Sequence, residues 1–330
     1  MTKKALVTGG GGFIGFHLAD YLSMQKDTEV TVIDNLSRGQ MDGMLKALVE
    51  RPNVKFIQAD MTKVGFFDML EPYYDNIYHL AAINGTRYFY EKAYEVLRVN
   101  ILSLMNLLAW INKKNCGKLL FTSSSEAYAG TINRFGEKYD FLPTDEDIPL
   151  TIDDVYNARF SYGGSKITGE LLTINYCRTN DVPFSIVRYH NIYGPRMGYE
   201  HVIPEFCKRI FDRENPFSIY GGEETRAFCY VTDAVKATES VMLSDSCDQK
   251  TIHIGNSSEE IKIKELAEML FCLSGIAPDF DIKPAPKGCV KRRCPDTSKL
   301  LALTGYSAKT TLAVGLKETY EWYISQFKSS

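Results

Sequence analysis

Four consecutive glycines, Gly9 to Gly12, stand between the apolar run Ala5-Leu6-Val7 and a stretch of helical spacing from Phe13 to Met24. In that stretch Phe13, Ile14, His17, Leu18, Tyr21 and Leu22 fall on one helical repeat. Gly9, Gly12 and Gly15 make a G-x-x-G-x-x-G loop that opens with Thr8. A strand turning on glycine straight into a helix offers free N–H groups and the positive end of the helix dipole. Backbone without side chains can also lie close to a pyrophosphate. The next apolar run, Val30 to Ile33, ends on Asp34, nineteen residues past Gly15. An acidic residue about 20 positions on meets the adenosine ribose hydroxyls and repels a 2′-phosphate, so NAD is expected over NADP. Arg38 lies close by and is the one residue here that argues the other way.

The same rhythm continues through the first half. Val54–Ile57, Ile77–Leu80, Leu119–Phe121 and Phe184–Val187 read as short buried strands, and Tyr94–Ile111 and Tyr162–Tyr176 as long helices. Strands alternating with helices predict an α/β fold, a Rossmann-type doubly wound parallel sheet. After Tyr193-Gly-Pro195 the alternation stops. Helices are predicted over 202–211, 231–243, 263–273, 297–303 and 312–327, with strands over 217–220 and 251–254 and a loop holding Pro284 and Pro286. We therefore expect an NAD-binding Rossmann domain over 1–189, to which the chain returns at about 228–256. A smaller mixed α/β C-terminal lobe over 190–330 is expected to bind substrate. Residues 129–160, with Gly130, Gly136, Pro143, Pro149 and Asp145-Glu-Asp147, break the rhythm and read as a lid or irregular excursion.

Composition removes several classes of function. The 38 Lys and Arg balance 41 Asp and Glu, a net charge of −3, which provides no footprint for nucleic acid or an anionic membrane. No run of 18 apolar residues marks a membrane span, and the N-terminus lacks the apolar core of a signal peptide. Eight cysteines, among them Cys289, form no C-x-x-C pair, and five scattered histidines complete no metal-ligand spacing. Free thiols in a reducing compartment are expected, hence a cytoplasmic protein without a metal.

The candidate cofactor residues cluster at strand ends. Beside Gly9, Gly12, Phe13, Ile14 and Gly15 stand Asp34, Asn35 and Arg38. Asp60 follows the third strand with Met61 and fits either an adenine contact or a turn. Leu80, Ala81 and Ala82 close the fourth, where small residues suit a close backbone pass or tight packing. Two Tyr-x-x-x-Lys patterns occur, Tyr88…Lys92 and Tyr162…Lys166. The first reads as a surface helix pair. The second opens a long helix and follows Ser123-Ser-Ser-Glu126 at a strand end. Spacing of i, i+4 puts Tyr162 and Lys166 on one helix face. There the ammonium is expected to lower the phenol pKa and make a tyrosinate available, with Lys166 also reaching the nicotinamide ribose.

These motifs resemble the extended short-chain dehydrogenase/reductase family, and within it the nucleotide-sugar epimerases and dehydratases. The resemblance spans nearly the whole chain. It rests on the glycine loop, Asp34-Asn35-Leu36, His79-Leu-Ala-Ala82, Asn100, Ser123-Ser-Ser-Glu126-Ala-Tyr128 and Tyr162-x-x-x-Lys166. It extends through Arg188-Tyr-His-Asn191-Ile-Tyr-Gly-Pro195, Thr225-Arg226-x-Phe-x-Tyr-Val-x-Asp233 and Arg293-x-Pro-Asp296. It implies that Tyr162 takes the proton from a sugar 4-hydroxyl, tuned by Lys166, while Ser124 bonds the same oxygen. It implies a 4-keto sugar as intermediate and Asn100 as a cofactor residue. Asn191 would hold the diphosphate, Arg226 and Arg293 would clamp it, and Ser125 would touch substrate. Met197–Pro204, with Val202 in it, would line the pocket for the base. A homodimer through helices 94–111 and 162–176 is also implied.

Glu126 marks a departure. In C4 epimerases that position resembles a small or uncharged residue, whereas 4,6-dehydratases and sugar-acid decarboxylases carry Glu. A carboxylate there could take the C5 proton once C4 is a ketone, or bond a nearby backbone N–H. Gly163-Gly164-Ser165 departs from the decarboxylases' Asp-Glu-Gly, and Ser124-Ser125 from the dehydratases' Thr-Asp. The expected activity is that of an NAD-dependent nucleotide-sugar epimerase/dehydratase. A 4,6-dehydratase or a UDP-sugar-acid decarboxylase using Glu126 is the alternative, and a non-catalytic NAD-sensing protein a remote one.

Overall fold

The computed structural model describes residues 2–136, 138–285 and 290–329, so Pro286 and Cys289 lie outside the described residues. Strand β1 (Lys3–Thr8) is buried from Ala5 onward. It turns through the glycines into α1 (Phe13–Ser23) and is followed by β2 (Thr28–Asp34). Next come α2 (Gly43–Val49), capped by Asp42 accepting from the Leu45 N–H, then β3 (Val54–Gln58) and β4 (Tyr74–His79). α3 (Thr86–Glu91), α4 (Ala93–Trp110) and β5 (Cys116–Ser124) follow, then α5 (Ala129–Phe135), α6 (Phe160–Thr179) and β6 (Phe184–Tyr189).

The remainder runs β7 (Ile192–Tyr193), α7 (Val202–Phe211), β8 (Phe217–Tyr220), β9 (Thr225–Ala227), β10 (Cys229–Tyr230) and α8 (Val231–Leu243). β11 (Thr251–Ile254), β12 (Glu260–Lys262), α9 (Ile263–Ser274), β13 (Phe280–Lys283), β14 (Arg292–Arg293), α10 (Ser298–Thr304) and α11 (Leu312–Ser329) complete it. α2 and α3 have no counterpart in the periodic reading. At seven and six residues they are too short to show an apolar repeat.

The central sheet has seven strands in the order β3-β2-β1-β4-β5-β6-β11. Its pairs from β3 to β5 are parallel, with Val7 opposite Val32 on one side and Tyr78 on the other. Helices cover both faces, so the strands read as unbroken apolar runs rather than alternating ones. Leu6, Ile33, Ile57, Ile77, Leu119 and Phe121 of the sheet pack with Leu104 and Leu107 of α4 in one core cluster. The strand order reverses between β1 and β4. In open sheets of this kind ligands sit outside the strands' carboxyl ends at such a switch point.

Contacts divide the chain into two compact units. The first comprises 1–127, 154–188 and 238–252, and the second 128–153, 189–237 and 253–330. In the first unit the buried Arg188 guanidinium forms two bonds to Glu170, at 2.8 and 2.6 Å, and Ser123 donates to the same carboxylate. This network joins β5, α6 and β6. Lys118 of β5 donates to the carbonyls of Val241 and Ser244, drawing the returning segment to the sheet.

The second unit holds the short sheets β7–β10, β8–β13 and β12-β9-β14. Phe206, Phe217, Phe271 and Phe280 meet edge to face in its core. Asp233 accepts from Tyr306 and from the N–H groups of Lys309 and Thr310, fixing the approach to α11. The segment 128–153 is neither a lid nor irregular throughout. It begins as α5, and Thr144 exchanges backbone bonds with Cys294 and Asp296. Glu146 also accepts the His253 N–H at 2.8 Å. The excursion is thus a structural part of the second unit, bonded to the residues that follow β14. Among the described residues, no helix is long and apolar enough to cross a membrane.

Candidate active site

The glycine loop has the geometry its sequence requires. Gly9 has φ +74°, and a methyl group on it would lie 2.7 Å from the Ala81 N. A methyl on Gly15 would fall 2.2 Å from the Gly9 carbonyl oxygen, so both positions demand glycine. Gly12 caps α1 in extended conformation, and the first turn, Phe13 and Ile14 included, carries no acidic residue. Those N–H groups remain a cradle for an anion. Asp34 at the end of β2 accepts from the Gly11 N–H at 2.9 Å and from the Leu36 N–H at 2.8 Å. A carboxylate has further lone pairs, and Asp34 stays partly exposed. This donor and acceptor set fits a dinucleotide with free ribose hydroxyls.

Other expected cofactor residues take varied positions. Leu80 donates its N–H to the Thr8 carbonyl and Ala81 donates to the Thr8 hydroxyl, which seats the β4 end against the loop. Asn35 accepts the Ser37 N–H in a turn. Asp60 accepts the N–H and hydroxyl of Thr62 through Oδ1, a turn role that leaves its other oxygen. Met61 is 6% exposed, with its side chain in the core cluster under the sheet. Asn100 is also turned to the protein. Its Oδ1 accepts the Ile83 N–H at 2.7 Å, and its amide donates to the Ile83 carbonyl and to Ser165 Oγ. It ties the β4 loop to α6, and its polar atoms are spent on the protein.

The catalytic candidates come together in the first unit. α6 begins at Phe160, two residues earlier than the pattern suggests, so Tyr162 sits in its first turn. The Tyr162 ring stacks on Phe89 of α3 at 4.7 Å and 9°. The Ser124 hydroxyl accepts the Glu126 N–H at 3.2 Å and lies near the Tyr162 phenol. The Lys166 ammonium donates to the Thr122 carbonyl at 2.8 Å and lies 5.6 Å from the Tyr162 ring centre. Ser125 is buried at the start of a 3-10 turn.

The tuning expected of Lys166 differs here. Burial pushes the Tyr162 phenol well above its ordinary value, opposed by Ser124 and by the Arg38 guanidinium, while the Glu126 carboxylate adds to the rise. Lys166 itself is pushed down to about 8 by burial, against the pull of Glu170. The protein alone therefore holds the phenol protonated. A low phenol pKa needs additional positive charge at the site, which an oxidised nicotinamide would bring. His79 behind the site is pushed down to about 3 by burial and is neutral, its Nδ1 bonded to Thr8.

Glu126 is held by a partner that the sequence reading did not name. It does not stand open as a base. Arg159, at the N-terminal cap of α6, bonds both carboxylate oxygens at 2.9–3.0 Å. The two side chains are 13% and 14% exposed. Arg159 escaped the sequence reading, although it stands three residues before Tyr162. Tyr88 is also more than half of a surface pair: Lys92 lies 5.7 Å from its ring centre and Arg38 4.9 Å. Arg38 lies in the loop after β2 and Tyr88 in α3 after β4, so this contact joins the segments that follow the two strands flanking β1.

Of the expected substrate residues, Ser125 lies in the first unit and Asn191, Val202, Arg226 and Arg293 in the second. Arg293 of β14 is paired in register with Arg226 of β9. The neighbouring Arg292 turns to Glu260, as does Thr225, and strand alternation puts Arg226 and Arg293 together on the other face. Asn191 has φ +43° and its amide donates to the Ala227 carbonyl. Val202 is the first residue of α7.

Comparison with known proteins agrees with this geometry. Residues 5–255 match the sequence model of the NAD dependent epimerase/dehydratase family. The chain is 32% identical to the UDP-N-acetyl-alpha-D-glucosaminuronate decarboxylase of Bacillus cytotoxicus, over 98% of each chain. It is 31% identical to UDP-glucuronic acid decarboxylase 6 of Arabidopsis thaliana, over 95% of this chain and 86% of that one. Among solved structures, the UDP-glucuronic acid 4-epimerase of Bacillus cereus, in complex with UDP-glucuronic acid and NAD, superposes with a TM-score of 0.86. The identity is 28%, over 98% of this chain and 99% of that one. With a glycine cradle, a tyrosine–lysine helix and a seven-stranded parallel sheet in this arrangement, the chain belongs to the NAD-dependent epimerase/dehydratase family and is an NAD-dependent enzyme of nucleotide-sugar chemistry.

Proposed function

We propose that the protein oxidises C4 of a UDP-linked sugar to a 4-keto intermediate and then reduces it to the C4 epimer. The observation that carries this is the place of Tyr162 in the first turn of α6, stacked on Phe89 and one helical turn before Lys166, whose ammonium is bonded to the Thr122 carbonyl of β5. NAD supplies a hydride acceptor and donor when bound. Tyr162 takes the 4-hydroxyl proton and returns it to the same oxygen once hydride has come back to the other face of C4, Ser124 steadies that oxygen, and Lys166 reaches the ribose. Gly9, Gly12 and the first turn of α1 hold the pyrophosphate, with Asp34 on the ribose. Asn191, Arg226 and Arg293 hold the substrate diphosphate, and Ser125 and Val202 contact substrate. UDP is preferred because the relatives reported above are named for UDP-sugars.

A second reading is decarboxylation of a UDP-uronate, supported by the two decarboxylase relatives. From a 4-keto uronate the C5–carboxylate bond breaks, its electron pair moves towards the C4 carbonyl, and a proton then adds at C5. Neither route requires a base at C5, which accords with a Glu126 engaged by Arg159. 4,6-Dehydration does require one. Exposed Tyr94, Leu97 and Met105 on α4 and Leu171 on α6 support a homodimer through these helices, and a monomeric mass in sedimentation would refute it. Buried free thiols accord with a cytoplasmic location.

Proton NMR with UDP-glucose, UDP-N-acetylglucosamine and UDP-glucuronate in D₂O tests the reading. A new anomeric signal without solvent deuterium supports epimerisation, and loss of carbon dioxide from the uronate supports the second reading. A new C6 methyl signal overturns both and makes Glu126 a base. Tyr162→Phe should lower kcat by about 10²–10⁴-fold while bound NAD is kept.

A further inference from the structure

A carboxylate beside a tyrosine that must ionise is a chemical liability, and this chain has one. Glu126 follows Ser124 by two residues, and its N–H is bonded to the Ser124 hydroxyl, which lies near the Tyr162 phenol. A methyl group on Gly163 would lie 2.9 Å from the Glu126 carbonyl oxygen, so the first turn of α6 lies directly on this residue. A negative charge here opposes formation of a second one on Tyr162. Arg159 answers it from the start of the same helix. Its Nε and one terminal nitrogen grip both Glu126 oxygens in a fork that water hardly reaches. The turn before it is set locally: Asn157 Oδ1 accepts the Arg159 N–H, and the Asp154 carbonyl accepts the Asn157 N–H.

We propose that Arg159 is a positioning residue for the reaction, acting through Glu126: the pair neutralises the carboxylate next to Tyr162, so that the phenol can give up its proton. The other groups facing Tyr162 are Lys166 on its own helix, Arg38 from the loop after β2, Ser124 at the β5 end, and the uncharged Phe89 ring from α3. Of these, Glu126 carries the negative charge, and Arg159 is the cation bonded to it. The proposal rests on Tyr162 being the base.

The test is a double-mutant cycle read in two ways. Carbon-13 NMR of the NAD-loaded protein with [ζ-¹³C]tyrosine follows the Tyr162 resonance, assigned by its loss in Tyr162→Phe. The pH profile of kcat/KM with the UDP-sugar that turns over follows its acidic limb. Arg159→Met should move both up by about one pH unit, and Glu126→Gln should move both down by about one. Glu126→Gln/Arg159→Met should return near the wild-type value, and Arg159→Lys should lie between wild type and Arg159→Met. Loss of packing alone would lower kcat/KM without moving either titration. If Arg159→Met does not fold, the nearly isosteric Glu126→Gln carries the test. An unchanged Tyr162 titration across the cycle overturns the proposal. Normal turnover by Tyr162→Phe overturns the assignment of the base, whatever the cycle gives.

Discussion

Gly9 and Gly43 show how differently one residue type is used. Gly9 is held at φ +74° with the Ala81 backbone 2.7 Å from where a methyl would be, whereas a methyl at Gly43 meets nothing within 4 Å. Gly9→Ala should cost about 1–3 kcal/mol through strain, and NAD should be lost from the purified protein. Gly43→Ala should raise stability by about 0.4–1 kcal/mol. Thermal melting and the absorbance of released cofactor measure both. Gly9 was legible because its spacing to Gly12, Gly15 and Asp34 follows from the shape of a dinucleotide. Where the Met61 and Asn100 side chains point was not legible, because neighbourhood in sequence does not fix a side chain's direction. Arg159 was missed for the same reason, since its partner Glu126 is thirty-three residues away.

Among the elements, α4 matters most for holding the site. It packs against α6, and Asn100 on it bonds both the loop after β4 and Ser165 of α6. Asn100→Ala leaves the Ile83 N–H without that acceptor. The expected loss is about 1–3 kcal/mol, with faster NAD release. Differential scanning calorimetry and the rate of NAD transfer to a scavenging dehydrogenase would record the two effects. Long helices and buried strands were readable because their apolar period is regular. α2, α3 and α5 were not, because each is a single short piece of six or seven residues, and only α2 has a side-chain cap. Residues 129–160 read as a lid or irregular excursion because the bonds at Thr144 and Glu146 come from Cys294, Asp296 and His253, far along the chain.

At the scale of the whole molecule the chain changes unit after residues 127, 153, 188, 237 and 252. A fragment of residues 1–189 lacks β11, the edge strand beside β6, and the carbonyls that receive Lys118. It should fail to give a monodisperse folded species by size exclusion and circular dichroism. Alkali should also act globally. Burial pushes the Cys116, Cys177 and Cys207 thiols up to about 12 from an ordinary 9. These groups keep their protons in the fold where the unfolded chain loses them, so stability falls as pH rises from about 9 towards 12. Lys166, pushed down to about 8, acts oppositely between about 8 and 10.5, because its burial is easier uncharged. With three thiols against one ammonium, melting temperature should fall above pH 9, and Cys177→Ala should make that fall shallower.

The sequence by itself determined the α/β class, the NAD cradle, the Tyr162–Lys166 helix and the family. Each of these rests on local geometry: a glycine that alone tolerates its φ, a strand run of apolar residues, two side chains one turn apart. Tertiary structure decided the rest. It paired Arg226 with Arg293 through strand register, placed the 128–153 excursion in the second unit, and closed Arg159 on Glu126. Those outcomes depend on contacts between residues distant in sequence, and on burial, which sets whether a carboxylate stands open as a base or is held by an arginine.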